Sequence, residues 1–198
     1  MSQVSEAVSR ARNPIVLMGV TYLLAVLTGI GMVSVRNKFA LGYRDKLVSG
    51  AVAHSRVLNS QYSGHYLQAA LLDFAGNLGL GAVPNTIAGL SVVLPFPMAA
   101  FRGWVGGVVS VDERHHSRLA DRREVIYYLV VIVLQLIPYS LAGGAGVRLG
   151  LRFYSTWGHR EVARWWILPR DGTVDVLWIY SVVVPLFLLA SLVEFLAA

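Results

Sequence analysis

Residues 66–111 run for 46 positions with only two charges, Asp73 and Arg102. As one straight helix they would extend about 69 Å, more than twice the thickness of bilayer hydrocarbon. The stretch therefore has to turn back on itself. Two breaks are available, Val83-Pro84-Asn85 and Leu94-Pro95-Phe96-Pro97. The second makes the better turn, because paired prolines disfavour helix on both sides. This predicts a long span over residues 67–94, kinked near Gly81 and Pro84. It leaves a short apolar piece over 98–111 that re-enters or tilts, being too short to cross comfortably.

The rest of the composition points the same way. The chain of 198 residues is 56% hydrophobic and 14% charged, against about 25% charged in soluble domains. Its mean hydropathy is +0.58. The expectation is one integral membrane domain over residues 1–198. There are no cysteines, which excludes disulfides, thiolate metal sites and cysteine nucleophiles. Lys and Arg number 17 against 11 Asp and Glu, a net charge of +6. In a soluble protein that excess would suggest nucleic acid; here basic residues facing anionic lipid explain it, and no nucleic-acid partner is expected. The first apolar run is too long for a signal-peptide core and lacks a small-residue cleavage site, so no cleaved leader is expected.

Residues 1–13 read as a polar arm. Pro14 opens the run 15–35, 21 residues without a charge, ended by Arg36 and Lys38. Over 44–62, Leu47, Val48, Ala51, Val52, Leu58 and Tyr62 recur at helical spacing opposite Arg44, Lys46, Ser55, Arg56 and Asn59, which predicts an interfacial amphipathic helix. Asp121-Arg-Arg-Glu124 has capping-box spacing and opens a span over 125–147. Residues 148–170 mix Arg148, Arg152, His159, Arg160, Arg164 and Arg170 with Phe153, Tyr154, Trp157, Trp165 and Trp166, a headgroup-level belt. Pro169-Arg-Asp-Gly172 reads as a turn, with Asp171 or Thr173 capping a last span over 174–197. The predicted fold class is all-α, a polytopic transmembrane bundle of about five hydrophobic segments. If both 67–94 and 98–111 cross, Lys and Arg divide nine to seven between the two sides, with the N-terminus on the poorer side.

Polar residues at membrane depth are candidates for function, because they cost several kcal/mol to bury in lipid (about 2.5–3.5 for an acid on insertion scales). Asp73 is the acid well inside an apolar span, apart from Glu194 near the C-terminus. Asn77 lies one turn on, on the same face. Arg102 is the expected counter-ion, meeting Asp73 across the hairpin; Gln135 is a further intramembrane polar group. The structural alternative is that these residues simply pair as glue inside the bundle. His54, His65, His115, His116 and His159 could ligate haem, pigment or metal, but they show no H-x-x-x-H or H-E-x-x-H spacing. With no G-x-S-x-G, Walker A or G-x-G-x-x-G motif either, no catalytic residue, metal or cofactor is expected.

The run LQLIPYSLAGGAGVRLG places Ala142, Gly143, Gly144, Ala145 and Gly146 in the last turns of the 125–147 span and Gly150 just past it. Small residues this dense let another helix backbone approach closely; Gly103 and Gly107 repeat the device. The helix from Gln135 to Gly150 resembles the signature helix of the stage II sporulation protein M family, polytopic bacterial and archaeal membrane proteins whose pattern runs Glu, apolar residues, then A-G-G-A-G-L-R-L-G. Asn77, Gly89, Gly103 and Gly107 resemble that family's asparagine, mid-helix glycine and N-G-x-x-x-G. The similarity covers a little under half the chain. Gln135 stands where the family has an acid, Arg102 where it has Asn, and the preceding H-G is missing. In spore formers the family member is the non-catalytic part of a complex that remodels peptidoglycan. The resemblance thus implies a non-enzymatic scaffold or complex subunit in the cytoplasmic membrane, with lipids and other membrane proteins or further copies as partners. Two other classes remain open: a transporter or channel component with a midplane site at Asp73 and Asn77, and a pigment- or haem-binding subunit.

Overall fold

The computed structural model describes residues 2–157 and 168–196, and among them the chain is all-α, with one isolated bridge between Val111 and Ser117. Three helices are long and apolar enough to cross a membrane: α2 (Arg12–Ser34), α8 (Arg122–Trp157) and α9 (Arg170–Leu196). Their outward faces carry exposed Leu17, Leu24, Leu27, Leu129, Val133, Leu177 and Leu189, an apolar surface that suits lipid and not water.

The other two of the five expected segments differ from the first three. Residues 66–91 form one helical run in four pieces: α5 (Tyr66–Gly76), a π-helical turn (Asn77–Ala82), α6 (Val83–Ala88) and a 3₁₀ turn (Gly89–Ser91). The π turn widens the helix one turn before Pro84, which lacks the N–H an uninterrupted α-ladder needs. The chain then reverses at residues 92–94, where Val92 takes φ 66°, and Pro95 and Pro97 sit in the first turn of α7 (Pro95–Val108). The paired prolines therefore mark the reversal. At 14 residues α7 is about 21 Å long, short of a full crossing.

Three boundaries depart from the sequence reading. The polar arm contains a helix, α1 (Gln3–Arg10), which buries Ala7 and is held to α9 by Arg10, whose Nη2 lies 2.6 Å from Asp175 Oδ1. The amphipathic segment is two helices, α3 (Lys38–His54) and α4 (Arg56–Tyr62), because Ser55 leaves the helix to accept a hydrogen bond from Leu58 N–H. The expected turn at 169–172 is instead the start of α9. Gly172 packs its bare Cα face against Leu149, and the extra turn brings Asp171 to Arg152. His159, Arg160, Arg164, Trp165 and Trp166 lie outside the described residues, as does the side chain of Trp157.

Glycine contacts join the bundle. On α7, Gly103 lies against the Tyr22 carbonyl and Gly107 against that of Val26 and Gly29 Cα, while a Cβ on Gly29 would stand 2.5 Å from the Trp104 carbonyl. The α2–α7 crossing is thus a mutual backbone contact that no side chain could enter. On α8, Gly143 faces Met18 and Asn85, Gly144 faces Ile15, Gly146 faces Thr86, and Gly150 faces the Gly89 carbonyl. Ala142 and Ala145 are buried in the same core. The glycine-rich stretch therefore packs inside this chain, wedged between α2 and α6.

Candidate functional site

The polar residues singled out at membrane depth come together. Asp73, Asn77, Arg102 and Gln135 all line one cavity of about 810 Å³, with Glu194, Tyr22 and Tyr139 completing its polar wall. Helical spacing accounts for the first pair: Asn77 Nδ2 donates to Asp73 Oδ2 at 2.8 Å, one turn apart. Ser191 on α9 donates to the same oxygen, also at 2.8 Å. Two donors share one carboxylate oxygen, and among the described residues Oδ1 has no hydrogen-bond partner.

The expected Asp73–Arg102 contact is not formed directly. Arg102 instead donates to Tyr139 Oη at 2.9 Å and to the Leu80 carbonyl at 3.1 Å. Its guanidinium stands 4.8 Å from the Tyr139 ring centre, a cation–π contact. Tyr139 Oη in turn donates to Asn77 Oδ1 at 2.7 Å. A relay therefore connects the two charges: Arg102, Tyr139, Asn77, Asp73. The π turn belongs to this arrangement, because it starts at Asn77 and its Gly81 leaves room for the Tyr139 ring; a Cβ there would lie 2.6 Å from Tyr139 Oη.

Gln135 belongs to a second pair. Its Nε2 donates to Glu194 Oε2 at 2.9 Å, so this intramembrane amide is engaged by an acid from α9. Neither Asp73 nor Glu194 forms an ion pair among the described residues. From Gln135 and Glu194 a smaller cavity of about 360 Å³ leads past Tyr128 to Asp112, Arg118 and Glu124 in the 109–124 connection. The roof of the larger cavity is the α3–α4 pair, through Tyr43, Leu47, Ser55, Val57 and Leu58.

That roof is tied down by polar contacts outside the bundle. His115 Nε2 lies 2.9 Å from Asp45 Oδ1, and this hydrogen bond holds the Asp45 carboxyl below the usual range. Tyr43 packs against Trp104 with ring centres 4.9 Å apart. In the loop, the backbone N–H groups of His116 and Arg114 cap Asp112 and lower its pKa.

The remaining candidates lie apart from the cavity. Gly103, Gly107 and the 142–150 glycines serve helix crossings. His65 begins α5 at the surface, and His116 bonds within its own loop; the side chain of His54 and all of His159 are outside the described residues. No group of three or more His, Asp or Glu could hold a metal among the described residues. Tyr22, Tyr139 and Ser191 are the members of the site that sequence reasoning missed. Nothing in their immediate sequence marks them: a serine hydroxyl in an apolar helix commonly bonds its own backbone, and a tyrosine ring reads as an ordinary core or interface aromatic.

The chain matches no protein-family model, no curated protein and no solved structure. Among the described residues the fold and site define an all-helical protein with three membrane-length helices around a largely apolar cavity that has one polar wall.

Proposed function

We propose that this is a non-enzymatic transport or channel component of a membrane, with its solute site in the cavity between α5, α7, α8 and α9. The observation that carries the reading is the relay from Arg102 to Asp73, beside Glu194, along the wall of a cavity of about 810 Å³. Acids with no cation beside them are expensive inside a membrane and mark ion or solute paths. The helix that supplies Asp73 and Asn77 is interrupted by a π turn, as helices at transporter sites often are. The smaller cavity supplies a polar route from the 109–124 connection to Glu194.

Purified protein in liposomes, screened by solid-supported-membrane electrophysiology against protons, alkali cations and small charged metabolites, tests the proposal. A charge displacement for one of these, abolished in Asp73→Asn and Glu194→Gln, is expected. Silence across the panel from a folded, oriented protein would overturn it.

A second reading, a docking subunit of a larger complex, rests on the resemblance to stage II sporulation protein M and on one surface. Gly76 and Gly79 face open space beside exposed Leu80, a small-residue face on which another helix could settle. The cytoplasmic membrane of a bacterium or archaeon is the location this resemblance favours. Glycine-to-leucine changes at both positions would abolish a co-purifying partner if that face is used, and leave the cavity intact.

A further inference from the structure

At the opposite end of the molecule from α3, three elements converge on a cavity of about 710 Å³ lined by Arg10, Arg148, Arg152, Arg170, Asp171 and Asp175. The charges do not balance. Asp175, only 3% exposed, is held by Arg10 through Nε and Nη2, and Asp171 by Arg152. Arg148 has only a loose approach to Asp175, 3.8 Å from Nε, and that nitrogen makes no hydrogen bond. Arg170 has no ion pair or side-chain hydrogen bond among the described residues. Two guanidinium groups are thus left in excess beside a cavity, at the first turn of a 27-residue helix whose free N–H groups add partial positive charge.

We infer that this cavity binds the phosphate of an anionic phospholipid headgroup. Guanidinium forks match phosphate oxygens in pairs, and the unpaired Arg170 with the loosely held Arg148 meets the charge of one phosphodiester. The depth fits a lipid and not only a free anion. Within two turns of Asp171, toward the middle of the bundle, α9 carries exposed Val174, Leu177 and Trp178. Acyl chains of a lipid held at the arginines would run down that surface past Leu177 and Trp178. A zwitterionic lipid would bring its own cation into a site already in cationic excess.

The experiment uses the full chain in a neutral detergent. Thermal unfolding is followed with added phosphatidylglycerol, phosphatidylcholine or inorganic phosphate at matched ionic strength, and bound lipid is counted by native mass spectrometry. Phosphatidylglycerol should raise Tm by several degrees and remain bound at one per chain, with phosphatidylcholine far weaker. Each of Arg148→Gln and Arg170→Gln should weaken that binding roughly fivefold. Arg170 is exposed and unpaired, so its variant reads binding without a risk to folding. Equal stabilisation by phosphate alone assigns the site to a free anion and removes the lipid. Equal effects of the two lipids, or a response to phosphatidylglycerol unchanged in Arg170→Gln, overturn the inference.

Discussion

Tyr139 occupies a position where one oxygen serves two partners, accepting from Arg102 and donating to Asn77. Its ring is also stacked edge-on against Phe187, 4.7 Å between centres. Tyr139→Phe keeps that packing and removes only the hydroxyl. The expected cost is about 1 kcal/mol, since hydrogen bonds between membrane helices measure near the low end of the general range. Denaturation in mild detergent checks the magnitude. If the transport reading holds, the same change should impair charge displacement far more than stability, because the relay is cut at its middle. Two glycines offer a sharper contrast. Gly107→Ala drives a methyl into the Val26 carbonyl and Gly29 Cα and should destabilise by about 1–3 kcal/mol. Gly42→Ala, on an exposed face of α3 with nothing near, should stabilise by up to about 1 kcal/mol. Asp73, Asn77, Arg102 and Gln135 were legible in the sequence because charge and amide groups are rare in apolar runs. Tyr139 and Ser191 were not, since their roles arise only where α5, α8 and α9 meet.

At the scale of elements, the roof of the cavity is held by a small apolar cluster around Ala40 and by polar contacts at the surface. The α3–α4 pair meets the bundle through Tyr43 and Trp104 and meets the 109–124 connection through Asp45 and His115. Asp45 is more acidic folded than free, chiefly because of the His115 hydrogen bond. A depressed carboxyl contributes stability above its unfolded pKa, about 3.9, and that contribution disappears as pH falls through the lower folded value. Docking of α3 should therefore weaken below about pH 4. In a variant keeping Trp104 as its one tryptophan, emission should shift as pH falls, and Asp45→Asn should show the shifted emission already at neutral pH. An unchanged spectrum in Asp45→Asn would mean the apolar and aromatic contacts hold the roof without it. The amphipathic period identified this segment, but its break at Ser55 depended on a local cap that the pattern of apolar residues does not encode. The reversal at residues 92–94 was legible for the opposite reason: proline acts through its own ring, whatever surrounds it.

For the whole molecule, the contacts sort the charged ends of the helices into two groups. Asp45–His115 and the Tyr127 hydroxyl on the Glu194 carbonyl belong to one end; Arg10–Asp175, Arg152–Asp171 and Gly150 on Gly89 belong to the other. The first end carries Arg36, Lys38, Arg44, Lys46, Arg56, Arg114, Arg118, Arg122 and Arg123, and the second, among the described residues, Arg10, Arg12, Arg148, Arg152 and Arg170. Sequence spacing could count these charges only after deciding whether α7 returns to the first end. The α2–α7 contacts resolve that, because Gly103 meets Tyr22 and Gly107 meets Val26 and Gly29, so the two helices run in the same direction. Lys and Arg near helix ends favour the cytoplasmic face, so α3, α4 and the 109–124 connection should lie inside and α1 outside. The absence of cysteine makes this simple to measure. Ser9→Cys and Glu113→Cys, both at exposed positions on opposite ends, would be treated in intact cells with a membrane-impermeant maleimide. Ser9→Cys should label at once and Glu113→Cys only after lysis. The reverse pattern would place the cavity's polar route from Asp112 and Arg118 on the outer face, and with it the side from which a solute reaches Glu194.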